Sequence, residues 1–513
     1  MKVGEKLKFN QLKAGIILSY LLILLNTIIG IFLTPFMLKS LGQSQFGLYQ
    51  LIGAFVGYMT ILDFGLGNAV TRYVAQYRQQ QDKKSESNFL AMTLIMYCII
   101  SFSAVIVGII LYFNLGNIFA NTLTHQEMSQ AKTMFIILLI NLVITLPGNI
   151  FNATINAYEK FVFNRGFTLF RLLLRVLLLI LLLKMGFNAI SIVILDTAIN
   201  IVTIIVNIYV CKKYLIVKVK LFKFDKKLID EVFKYSIFIF LNMIFDQLIW
   251  RVPSTIIGIK ISTVAVAIFS VGMQFSGLFM QFSSAISGVF LPKVTKMVTA
   301  GESNKVLTDF MIKAGRLQGI ILLYIYIAFL ILGKQFILLW VGDGYKEAWI
   351  TALMVMSGLL IPLIENSGLS ILQAMKKHQF YVIIYLIICT FNIITTIFII
   401  DYTGITGAAM MTMLGFFLGH GIFINWYYHN KIGLNMIRFF KEVFKGILPV
   451  SIISGVIMYY ITIYIKINSW VMFLISGIIF TLIYFTNMWI FGANQYEKNL
   501  ILQPIRRIFV RNK

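Results

Sequence analysis

Apolar residues run through this chain in blocks of about 20, each closed by a short cluster of Lys, Arg, Asn, Gly or Pro. A helix needs a run of that length to cross the roughly 30 Å hydrocarbon core of a bilayer. Fourteen runs are predicted to span: 14–33, 46–66, 89–113, 134–156, 168–184, 188–210, 235–258, 264–290, 317–339, 348–373, 379–400, 404–426, 444–465 and 470–491. The fifth is short. The first lacks a small-residue cleavage site and is long enough to span, so it reads as a helix and not as a cleaved signal.

Spacing along the chain also shows a repeat. Leu25-Asn26 recurs as Leu241-Asn242, Pro35 as Pro253, and Gly186 as Gly404. Pro147 with Asn156–Lys160 (NAYEK) recurs as Pro362 with Gln373–Lys377 (QAMKK). All offsets fall between 215 and 218 residues. The predicted fold is therefore an all-α polytopic membrane protein of about 14 transmembrane helices. Two six-helix bundles (1–210 and 235–430) would be related by a pseudo-twofold along the membrane normal. A basic linker (211–234) would join them, and two extra C-terminal helices with a basic tail (431–513) would follow. Two similarly oriented bundles around a cavity suit alternating access.

Composition agrees with that picture. Of 513 residues 59% are hydrophobic and 12% charged, and mean hydropathy is +0.88, which excludes a soluble globular protein. The net charge of +25 becomes a topology signal once it is mapped onto the loops. With both termini in the cytoplasm, cytoplasmic segments hold 34 Lys/Arg and external loops 7, a strong positive-inside bias. The charge then faces anionic lipids and not nucleic acid. The three cysteines and four histidines show no metal-ligand or disulfide spacing.

The exceptions to apolarity carry the candidate chemistry. The stretch IFIFLNMIFDQLIWRVPSTIIGI (237–259) holds Asp246, Gln247 and Arg251. A charge at the bilayer centre costs roughly 2.5–3.5 kcal/mol on insertion scales, so such residues mark a function or a partner. Asp246 and Arg251, five apart, point about 140° from one another on a regular helix and do not pair easily. Arg171 and Arg175, four apart, share a helix face and suggest an anion site. Asp196 is able to pair with either of them. Asp63, Asp196, Asp246 and Glu365 are the candidate acids for coupling to H⁺ or Na⁺, with Asp63 better suited to a turn or interface role beside Gly65 and Gly67. Asn26, Asn242 and Gln274 are candidates for sugar hydrogen bonds or helix–helix bonds, and His420 reads as a packed histidine.

Three stretches carry a family resemblance: LKSLGQSQFGLYQL (38–51), LDFGLGNAVTRYVAQY (62–77) and NATINAYEKFVFNRGFTLFRLLLRVLLLILLL (152–183). They resemble the polysaccharide flippases of the multidrug/oligosaccharidyl-lipid/polysaccharide exporter superfamily. The resemblance implies a non-enzymatic transporter of the bacterial cytoplasmic membrane with both termini inside. It would move undecaprenyl-diphosphate-linked oligosaccharide to the outer leaflet, for O-antigen, capsule or a teichoic-type polymer. No cofactor is implied beyond a coupling ion, and a polysaccharide polymerase and chain-length machinery would be partners. Arg251, Arg175 and Arg171, with Gln247, Asn26, Asn242 and Gln274, would line the cargo site. A cation-coupled multidrug antiporter of the same superfamily is the rival reading. A membrane-embedded polymerase is disfavoured, because every loop is short and no DxD occurs.

Overall fold

The computed structural model describes residues 4–287, 290–377, 379–500 and 502–503. The basic C-terminal tail and His378 lie outside the described residues. The chain divides into two compact units, Met1–Ala267 and Ile268–Lys513. No strand occurs among the described residues.

The first unit contains Gly4–Thr60 (α1), Leu66–Gln79 (α2), Lys83–Ile118 (α3), His125–Ala157 (α4), Phe161–Lys184 (α5), Ala189–Tyr209 (α6) and Lys226–Lys260 (α7). Its helices start on side-chain caps. Asp82 accepts from the Ser85 amide at 2.9 Å. Thr124 and Glu127 form a reciprocal capping box, and Asn188 and Asp225 cap α6 and α7. Such caps satisfy the amides that a helix start leaves open. Gly42, at φ 78°, breaks α1 into two spans, as only a residue without Cβ does cheaply.

The α3 helix shows how these segments sit in lipid. Ile99, Phe102, Ile106 and Phe113 are exposed along one stripe, whereas Ser101, Ala104 and Gly108 are buried. Large apolar groups face outward and small ones face the neighbouring helix, which lets backbones approach. A Cβ at Gly108 would lie 2.6 Å from Leu139 of α4. The linker before α7 is bound to α3 through Asn88, whose Oδ1 accepts the amides of Phe222 and Lys223 at 2.7 and 2.9 Å.

Next come Thr263–Ser287 (α8), which crosses the division between the units, Phe290–Thr299 (α9), Asn304–Val341 (α10), Lys346–Ile364 (α11) and Asn366–Ala374 (α12). Gln379–Phe416 (α13) runs on through π-helical turns at Phe417–Ile424 and Tyr428–Ile432 around Asn425–Tyr427 (α14). Met436–Phe444 (α15), Ile447–Tyr464 (α16) and Trp470–Asn487 (α17) complete the second unit. Its core joins α10 to α16 and α17 through Leu323, Ile327, Met458, Phe480 and Tyr484.

Eleven described helices are long and apolar enough to cross a membrane. Two of them, bent at Gly42 and at Gly404 (φ 62°), each contain two of the runs read from sequence. α7 is not among the eleven, yet it is 35 residues long and covers the seventh run. The polytopic all-α fold is thus as the pattern predicts. α5 is 24 residues long and not short. The run 348–373 is broken at Glu365, three residues after Pro362. Repeat-equivalent positions share backbone conformations: Gly186 and Gly404 both have positive φ, and Glu159 and Lys376 both have φ 58°. α7, placed by the repeat at the head of the second bundle, belongs to the first compact unit.

Candidate functional site

The family-like stretches prove to be joints of the first unit. Gly47 lets α1 meet the start of α8, where a Cβ would clash with the Thr263 carbonyl. Tyr49 and Arg175 meet Asp196: Arg175 donates from Nη2 to Asp196 Oδ2 at 2.8 Å and to the Tyr49 hydroxyl at 3.2 Å. Asp63 ends a 3₁₀ turn (Ile61–Asp63), and its Oδ1 accepts from the Tyr97 hydroxyl at 2.6 Å and Asn149 at 3.3 Å. Phe64 stacks on Phe240 of α7 at 4.4 Å, and the Arg72 guanidinium lies over Tyr235 at 4.6 Å. Tyr158 of NAYEK donates to Glu86 at 2.8 Å.

These contacts sort the candidate residues. Arg175 and Asp196 form a bidentate pair that leaves each side chain less than a third exposed. Asp63 is occupied by a tyrosine and an asparagine. Arg171, one turn from Arg175, is exposed and makes no hydrogen bond or ion pair among the described residues.

The α7 group is different. Tyr58 of α1 hydrogen-bonds Thr255 at 2.7 Å and fixes this part of α7 against α1. Beside that bond Gly57 leaves room for two α7 side chains. A Cβ there would lie 2.7 Å from Gln247 Oε1 and 3.2 Å from Arg251 Nε. Gln247 Oε1 is buried without a hydrogen-bond partner among the described residues. Arg251 and Asp246 are exposed and form no ion pair there, with one another or with a third group. Asn26 and Asn242 are likewise exposed on α1 and α7. The first unit therefore presents a guanidinium and an amide held over a glycine, with a carboxylate on another side of the same helix.

In the second unit Glu365, where α11 breaks, is buried with its Oε1 3.1 Å from Nδ1 of His420 on the first π-helical turn. Nε2 of His420 lies 3.4 Å from the Tyr385 hydroxyl, and Glu365 Oε2 has no hydrogen-bond partner among the described residues. Gln274 is half-buried on α8. Sequence reading missed this Glu–His pair because its members are 55 residues apart; only the packing of α11 on α13 and the π-helical register unite them. Among the described residues no group of three His, Cys, Asp or Glu side chains is placed to hold a metal ion.

The model of the family described as polysaccharide biosynthesis protein matches residues 12–298, more than half of the chain. The chain is 20% identical over 502 residues to the uncharacterized membrane protein EpsK of Bacillus subtilis (strain 168), covering 94% of this chain and 96% of that protein. Its fold is similar to that of the lipid II flippase MurJ in an inward closed conformation. That match has a TM-score of 0.72 at 18% identity and covers 95% of this chain and 100% of the other. An inward-facing multidrug transporter of the MATE family matches at a TM-score of 0.60, 15% identity, 81% of this chain and 94% of its own.

Proposed function

The chain belongs to the polysaccharide biosynthesis protein family, and from that premise we propose that it is a flippase for lipid-linked oligosaccharide. It would move undecaprenyl-diphosphate-linked repeat units from the inner to the outer leaflet of the bacterial cytoplasmic membrane, with both termini inside, and deliver them to a polymerase. The fold it shares with a lipid II flippase supports a lipid-linked cargo.

One observation carries the reading: Arg251 stands on a membrane helix with no counter-ion among the described residues, whereas Arg175 is neutralised by Asp196. An unpaired guanidinium in a bilayer is expensive, and a diphosphate is the anion its planar fork fits. Gln247, with a buried unpaired carbonyl, adds an acceptor for sugar hydroxyls. Arg171 is a second cation of the same unit with no ion pair among the described residues. A membrane potential negative inside drives an anion outward by about 2.3 kcal/mol per charge per 100 mV, so export needs no ATP. Return of the empty carrier would be coupled to H⁺ at the Glu365–His420 pair. There a buried carboxylate lies 3.1 Å from an imidazole nitrogen.

The test is chemical. In cells depleted of the protein, complete single repeat units should accumulate on their lipid, facing the cytoplasm. Unpolymerised units reaching the outer leaflet would instead indicate a polymerase. Unchanged lipid-linked sugars with a rise in sensitivity to cationic drugs would favour the antiporter, a reading the MATE-like fold also supports.

A further inference from the structure

A basic pocket in the second unit plays no part in that mechanism. It encloses about 780 Å³ where the first turns of α10 meet α15 and the segment after α17. Two of its arginines are already satisfied. Arg316, 6% exposed, donates to Glu497 through Nε and Nη2 at 2.5 and 3.1 Å and to the carbonyls of Glu442, Lys445 and Gly492 at 2.8, 3.0 and 2.9 Å. Arg438 lies 2.7 Å from both Asp309 and Glu442. Lys313, Lys441 and Lys445 remain: exposed, lining the pocket, and without a carboxylate partner among the described residues. Lys313 stands over the Tyr496 ring at 5.4 Å.

The surroundings are those of a membrane boundary. α15 buries Met436, Phe439 and Val443 and leaves Ile437 73% exposed beside its basic residues. Farther along α10, and on α16, an apolar groove of about 740 Å³ opens at Leu323 and Leu448 and continues past Ile327, Ile331, Ile452 and Val456. Arg316 and Leu323 are separated by about 10 Å of helix rise. A solvated loop would show the charges without the groove, and a lipid-facing helix the groove without the charges. Lysine ammonium groups are point charges that attract a phosphodiester without demanding the two-pronged geometry of arginine.

We propose that this is a binding site for an anionic phospholipid. Its headgroup phosphate would lie among Lys313, Lys441 and Lys445, and an acyl chain along the groove between α10 and α16. Placement in the cytoplasmic leaflet rests on the orientation proposed above; the site itself does not.

The test uses the full-length protein in phosphatidylcholine nanodiscs titrated with phosphatidylglycerol, counting retained lipid by native mass spectrometry. Exchanging Lys313, Lys441 and Lys445 together for Gln should weaken phosphatidylglycerol retention about tenfold or more. Exchanging the same three for Arg should preserve it, which separates lost charge from lost fold. Exchanging exposed Lys296, Lys305 and Lys377 for Gln should leave it unchanged. Equal retention by the first variant and wild type, or equal loss in the control, overturns the proposal. So does displacement of phosphatidylglycerol by polyprenyl diphosphate whose own binding needs the three lysines, because the site would then belong to cargo. Transport is not read, so failure of the flippase reading and failure of this site are distinguishable.

Discussion

At the residue scale, the charges of the first unit fall into two energetic classes. Arg175 and Asp196 satisfy one another with Tyr49, and removing one partner leaves the other charge partly buried without its counter-charge. Arg175→Ala is expected to cost about 1–3 kcal/mol, less than for a fully buried pair because each side chain is over a quarter exposed. Arg175→Leu with Asp196→Leu should recover much of that loss; thermal midpoints in detergent measure both. Arg251 has no such partner among the described residues, so Arg251→Ala should leave stability unchanged or raise it, because it removes an unpaired charge from the membrane. It should nevertheless abolish complementation of polysaccharide export, with Arg251→Lys partly active. If Arg251→Ala exports normally, the diphosphate role assigned to Arg251 is lost. Sequence named both arginines of α5 as anion-site candidates and Asp196 as a partner for either. Which arginine is paired depends on the rotation of α5 against α6, a packing quantity that no local pattern records. Arg316 was hidden more deeply. Counted among loop charges, it is buried because Glu497, 181 residues away, meets it.

At the element scale, glycines decide where helices touch. A Cβ at Gly47 would overlap the Thr263 carbonyl, and backbone moves only at a cost. Gly47→Ala should therefore destabilise the protein by about 1–3 kcal/mol or more, seen as a lowered thermal midpoint and reduced membrane yield. At Gly57 the neighbours are instead the ends of flexible side chains. Gly57→Ala should keep the fold and impair export by displacing Gln247 and Arg251. A normal midpoint with normal export would show that their position over Gly57 does not matter. The helices themselves were legible, since a bilayer-length apolar run with a capping residue leaves few alternatives. The two bends were marked by Gly42, in the LG–FGLY stretch, and by Gly404, in the repeat. The Glu365–His420 contact was not legible, because it depends on a π-helical register that the sequence around His420 does not announce.

At the scale of the whole molecule, the repeat is written in proline and glycine positions and returns as matched backbone at Gly186 and Gly404 and at Glu159 and Lys376. The division at Ala267 was not written there: α7, which the repeat places in the second half, packs through Phe240, Tyr235 and Thr255 onto the first unit. The 34-to-7 distribution of Lys and Arg predicts that tags at either terminus are reached by reagents only after the cytoplasmic side is opened. Labelling of an N-terminal tag in intact cells would reverse the orientation. The central claim is that the molecule carries a diphosphate-linked glycan across the bilayer. Its most direct test reconstitutes the purified protein in vesicles loaded with polyprenyl-diphosphate oligosaccharide on the inner leaflet. A membrane-impermeant glycosidase then follows arrival of the glycan outside. The account predicts time-dependent cleavage that wild-type protein supports and Arg251→Ala does not. Glycan that stays protected with folded wild-type protein under an imposed potential and proton gradient would contradict it.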